Sequence, residues 1–124
     1  MGSLISEALL ARVREGTSSK MDKYLLVLDY YRQKGGGTVV VYPEELLAHY
    51  GLPAGGQACA RLGRYLSAKL ELRSPKYWLR NSDFVVIDRF WENGRVSYLL
   101  MDSRDVISKS YQMKDKKARV NQSD

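Results

Sequence analysis

The amino-acid sequence predicts an α+β domain, and three observations carry that prediction. Apolar residues recur at helical spacing over most of residues 4–71. One β-branched run, "TVVVY", interrupts them, and two further β-rich runs near the C-terminal end are joined by Asn93-Gly94. At 124 residues the chain has the length of one ordinary domain. Its 44% hydrophobic and 27% charged residues are globular values, which exclude a wholly disordered or collagen-like chain.

The elements follow in order. Leu4, Ile5, Ala8, Leu9 and Val13 lie on one helical face behind Ser3, a candidate N-cap, and Gly16 is a helix stop, giving an N-terminal amphipathic helix over residues 1–16. In "SKMDKYLLVLDYYRQKGGG", Ser19 and Asp22 have the spacing of a capping box, and Met21, Tyr24, Leu25, Leu28 and Tyr31 form one stripe that Gly35 to Gly37 terminate. Thr38 to Tyr42 reads as a strand, and Pro43 suits the first position of a short helix carrying Leu46, Leu47 and Tyr50. Gly51, Pro53 and "PAGG" then lead into a longer helix, Gln57 to Glu71.

That helix and the linker after it hold an unusual charge. Residues 56–80 contain six cations and one acid, Glu71, in a chain whose formal net charge is +6. On a helical wheel Cys59, Leu62, Leu66 and Leu70 share one face, while Gln57, Arg61, Arg64 and Ala68 share the opposite one with Ala60 and Ser67 close by. Small residues between arginines let a helix approach another surface closely. A solvated face with arginines for solubility is the plainer reading of the same pattern.

"DFVVIDRFWENGRVSYLLMD" is a β-hairpin signal, since Asn-Gly favours the two-residue type I′ turn. Such a turn sets Glu92 opposite Arg95, Trp91 opposite Val96, Arg89 opposite Tyr98 and Ile87 opposite Leu100, all consequences of period-two alternation. The base is apolar on both faces, and toward the tip Arg89, Trp91, Arg95 and Tyr98 interleave cations with aromatic rings.

Helix, strand, helix, basic helix and hairpin, in that order over Lys20 to Asp102, resembles the winged helix-turn-helix superfamily of DNA-binding proteins. The resemblance implies a three-helix core with a short strand and a C-terminal β-hairpin wing, here preceded by the N-terminal helix. It divides the chain into residues 1–16, a winged-helix-like domain over 17–113, and a basic flexible tail over 114–124. It also implies that the basic helix enters the major groove, with Gln57, Arg61 and Arg64 facing the groove and Arg89, Asn93, Gly94 and Arg95 as wing contacts. The connection "LRSPKYWLRNS" is longer than such folds commonly use.

In that connection Arg73, Lys76 and Arg80 accompany Tyr77 and Trp78. Trp78 suits a core anchor, whereas Trp91, one pair from the hairpin tip, suits contact with a ligand. The same mixture of rings and cations fits single-stranded nucleic acid, whose bases would stack on Trp91 and Tyr98 beside the basic linker. The expected partner is therefore DNA, duplex before single strand, with a homodimer suggested by the apolar hairpin base and the first helix. A winged helix that binds only protein is a third reading.

No catalytic residue, metal ligand set or cofactor is expected. His49 lacks a nearby Asp, Cys or Ser in a catalytic arrangement, Cys59 lies on the apolar helix face, and neither "KGGG" nor "AGGQACAR" fits a P-loop. One cysteine and one histidine cannot by themselves form a structural zinc site or an internal disulfide. No apolar run approaches the ~18 to 20 residues that span a bilayer, and Met1 to Leu10 lacks a signal peptide's basic start. An intracellular setting is expected, cytoplasm or nucleoid, or nucleus in a eukaryote.

Overall fold

The computed structural model describes residues 5–71 and 83–105. Within them lie α1 (Glu7–Glu15), α2 (Lys20–Gln33), β1 (Val39–Val41), α3 (Pro43–His49), α4 (Gly56–Glu71), β2 (Phe84–Glu92) and β3 (Arg95–Asp102). The fold is mixed α+β. Both strand pairings are antiparallel, and the sheet order is β1-β3-β2, so the hairpin carries β1 on its β3 side.

Local chemistry sets most boundaries. Ser6, not Ser3, caps α1 by accepting from the Leu9 amide at 3.1 Å; Ser3 itself lies outside the described residues. Gly16 ends α1 in the left-handed region, φ 82°, where its amide reaches back to the carbonyls of Arg12 and Val13. The capping box on α2 forms in both directions: Ser19 Oγ accepts from the Asp22 amide at 3.0 Å, and Asp22 Oδ2 accepts from the Ser19 amide at 2.9 Å. Pro43 occupies the first turn of α3, where its missing N–H leaves no bond unmade.

One core joins all these elements. Leu9 and Val13 of α1, Leu26 to Leu28, Tyr30 and Tyr31 of α2, Leu46 and Leu47 of α3, and Leu62 and Leu66 of α4 meet Val39, Val41, Phe84, Val86, Tyr98 and Leu100 of the sheet. The stripe expected on α2 starts later than its spacing predicts, for Met21 is 62% exposed while Leu28 and Tyr31 are buried. The apolar face of α1 is used within the domain, so it is not the dimer surface expected from the sequence.

The hairpin register follows expectation from Glu92↔Arg95 to Arg89↔Tyr98, then changes. Val86, not Ile87, lies opposite Leu100, because a β-bulge between Val86 and Asp88 inserts Ile87 as an extra residue. This one-residue shift turns Phe84 and Val86 toward the helices, where both are essentially fully buried. On the other face Val85 and Met101 are buried as well, while Val40 and Phe90 are 47% and 44% exposed.

α1 is also held by charge. Arg12 donates from Nε and Nη2 to the two oxygens of Asp22, each at 2.8 Å, so the carboxylate that caps α2 also anchors α1. The hydrogen bonds from Arg12, then that from the Ser19 amide, hold Asp22 well below the usual carboxylate range. A depressed folded-state pKa adds stability above the unfolded value of about 3.9 and loses it as pH falls below that value. Asp22→Asn is therefore expected to lower the urea midpoint at pH 7, with the gap to wild type narrowing from about pH 4 downward. A gap of constant size from pH 7 to pH 2.5 would show that the ion pair is not its source.

Candidate nucleic-acid interface

α4 divides as its sequence requires. Leu62 and Leu66 are buried and Cys59 and Leu70 half-buried, while Gln57, Ala60, Arg64 and Ala68 are exposed. Burial, then the nearby Glu44 carboxylate, pushes the Cys59 thiol up, away from a reactive thiolate.

Arg61 departs from its expected direction. It is half-buried, and its guanidinium lies so close to Gly16 that a Cβ there would sit 2.0 Å from Nη1. The bare glycine leaves the space, and the negative end of the α1 dipole favours the cation. Its Nη2 donates to Gln57 Oε1 at 2.9 Å, so two of the three expected groove-facing residues are tied to each other.

The small residues of α4 receive the hairpin. Tyr98 Oη donates to the Gly63 carbonyl at 3.0 Å and lies 2.8 Å from Ser67 Oγ, and Arg89 Nη1 donates to Ser67 Oγ at 3.0 Å. With the tyrosine proton on Gly63, Ser67 donates to Tyr98 and accepts from Arg89, which gives the ordered chain Arg89, Ser67, Tyr98, Gly63. Tyr98 is only 2% exposed, which removes it as a base-stacking residue. Its ring is needed to fill the junction between β3 and α4.

Arg95 is likewise not a free wing contact. It pairs with Glu45 at 3.2 Å and Glu44 at 3.9 Å, and its guanidinium lies 4.4 Å from the centroid of the Tyr42 ring. The two acids favour the start of α3 for the helix dipole, and their charge then draws in the hairpin cation. Asn93 and Gly94 form the exposed turn with φ 52° and 74°, as a type I′ turn demands. Arg73, Lys76, Trp78 and Arg80 lie outside the described residues.

Three of the expected side chains, Arg64, Arg89 and Trp91, are exposed. Ser67 follows Arg64 by three residues on α4, and the Arg89 guanidinium is bonded to Ser67. Among the described residues neither arginine has a carboxylate partner. Trp91 lies two residues beyond Arg89 on the same strand face and is 69% exposed. Arg89 and Trp91 thus share one face of the hairpin, and Arg89 meets the helix that carries Arg64.

Sequence reasoning missed Gly63 as the acceptor that seats Tyr98. Gly63 and Ser67, four apart on one helix face, were the available signal for a close neighbour. Elsewhere, Tyr50 Oη and Gln33 Nε2 donate to the buried Asp29 at 2.5 and 2.6 Å, and Gln33 Oε1 lies 2.7 Å from His49 Nε2. This network joins α2 to α3, gives His49 a structural partner, and with burial as the larger cause pushes the Tyr50 phenol up.

Among the described residues no three His, Cys, Asp or Glu side chains are placed to hold a metal ion, and no helix is long and apolar enough to cross a membrane. Compared with known proteins, the chain matches no family model, no curated protein and no solved structure.

Proposed function

We propose that the chain is a DNA-binding domain of winged helix-turn-helix type, serving as a regulator or as a chromatin or replication accessory protein. The observation that carries this reading is the bond from Arg89 to Ser67 of α4, which sets the exposed Arg89 and Trp91 of the hairpin against the helix that presents Arg64. Two cations without acidic partners among the described residues suit phosphates, and the exposed ring beside Arg89 suits sugar or base. α2, α3 and α4 around one core, with a short strand added to the hairpin, agree with that architecture. Duplex ranks first because α4 presents Gln57, Ala60, Arg64 and Ala68, a face narrow enough to enter a major groove.

The pinning of Arg95 to α3 moves the contact surface away from the hairpin's β1 side and onto its α4 side. A homodimer remains part of the proposal without α1, with Val40 and Phe90 on the outer sheet face as its exposed apolar surface.

A single-strand reading stands second on one observation, the exposure of Trp91. Matched duplex and single-stranded oligonucleotides, titrated by fluorescence anisotropy across a salt series, separate the two. The duplex is expected to bind at least as tightly as the single strand, with affinity falling as salt rises, and Trp91→Ala is expected to weaken both modestly. A single-strand preference that Trp91→Ala alone removes, at about 1–3 kcal/mol, would reverse the ranking. No salt-dependent binding to either would leave the protein-interaction reading.

A further inference from the structure

We propose that the cleft where α1, α2 and α4 meet binds a phosphate-class oxyanion between Lys23 and Arg61. The site is separate from the Arg64 and Arg89 corner and does not rest on the DNA reading. The cleft is open to solvent, with an empty volume of about 260 Å³. Its walls are Val13, Leu26, Leu47, Ala58 and Leu62, and its polar lining is Ser18, Lys23 and Arg61. The enclosed part holds at most about one water molecule, so the ligand sits at the mouth, between the cations.

Both cations are placed by the fold. Lys23 Nζ donates to the Ser18 carbonyl at 2.9 Å, which spends one of its three protons. Arg61 is held over Gly16 with Nη2 on Gln57. Neither has a carboxylate within ion-pair distance among the described residues, and the adjacent Asp22 is engaged by both Arg12 nitrogens. Two like charges thus line one cleft with no carboxylate paired directly to either among the described residues. Burial first, and then the charge of Arg61, lowers the pKa of Lys23, while the Asp22 carboxylate raises it. An oxyanion between them reverses the sign of the interaction, and the planar guanidinium with a mobile ammonium suits a tetrahedral group of several acceptor oxygens. A free phosphate and a backbone phosphodiester share this chemistry.

The test is a titration of the ¹⁵N-labelled full chain with inorganic phosphate at constant ionic strength, followed by two-dimensional NMR. Saturable shifts are expected at Gly16, Ser18, Lys23 and Arg61, with half-saturation on the order of millimolar. Lys23→Gln and, separately, Arg61→Gln are expected to weaken binding by about tenfold while spectral dispersion is kept, and Lys20→Gln is expected to leave it within about twofold. Linear shifts spread over all surface lysines, an adventitious ion only, would overturn the proposal. So would unchanged binding in Lys23→Gln.

A second arm uses a short duplex. Shifts at the same four residues, lost in Lys23→Gln, identify a backbone phosphate as the source, whereas response to inorganic phosphate alone identifies a free one. Because Arg64→Ala with Arg89→Ala leaves this cleft intact, the site and the DNA reading fail independently.

Discussion

Phe84→Ala is expected to destabilise the domain by about 3–5 kcal/mol, the usual cost of emptying a buried aromatic site. The ring is fully buried, stacks on Tyr24 with centroids 5.6 Å apart, meets Tyr31 at 5.8 Å, and lies 5.8 Å from the Lys69 ammonium. No neighbour on the strand side can move in, since Val86 and Leu100 already fill that face. Ile87→Ala is expected to cost less than half as much, because Ile87 is half-buried at the bulge. The comparison tests the register itself. Unbroken alternation from the Asn93-Gly94 turn would put Ile87 in the core and Phe84 outside. Urea denaturation of the two variants decides between these, and a larger loss in Ile87→Ala would place the bulge elsewhere.

The bulge also shows where sequence reading stops. Features governed by residues close in sequence were legible: the Ser19 and Asp22 capping box, Pro43 opening α3, Gly16 closing α1, and the turn whose two residues need positive φ. Period-two alternation carried the hairpin correctly as far as Asp88, because nothing local opposes it. The extra residue at Ile87 is decided by which side chains fit between the sheet and α2, and Phe84 fills the space beside Tyr24 and Tyr31. Met21 failed for the complementary reason, since helical spacing places it on the stripe but cannot say how far along α2 the covering elements reach.

At the candidate site the wheel separated the apolar and polar faces of α4 correctly. It could not foresee that Arg61 would fold back over Gly16, that Arg95 would meet Glu44 and Glu45 fifty residues away in sequence, or that Tyr98 would be buried by bonds to Gly63 and Ser67. Each is a long-range pairing of residues that are individually ordinary. The interleaving of cation and ring expected along the whole hairpin is reduced to Arg89 and Trp91, on the strand that packs against α4.

Arg64→Ala combined with Arg89→Ala is accordingly expected to lower duplex affinity on the order of 100-fold near 0.1 M salt, since a charge-assisted contact contributes about 1.5–3 kcal/mol. If both meet phosphates, the slope of log affinity against log salt should flatten by about two units. Fold stability should change little, as both side chains are exposed. Arg95→Ala should reduce affinity only a few-fold, because its charge is already offset by two glutamates. Ser67→Ala separates charge from position: Arg89 keeps its charge but loses the hydroxyl that holds it against α4, so affinity should fall while the salt slope stays near the wild-type value. Unchanged affinity and slope in the double variant, with duplex still bound, would move the contact surface off the α4 and hairpin corner.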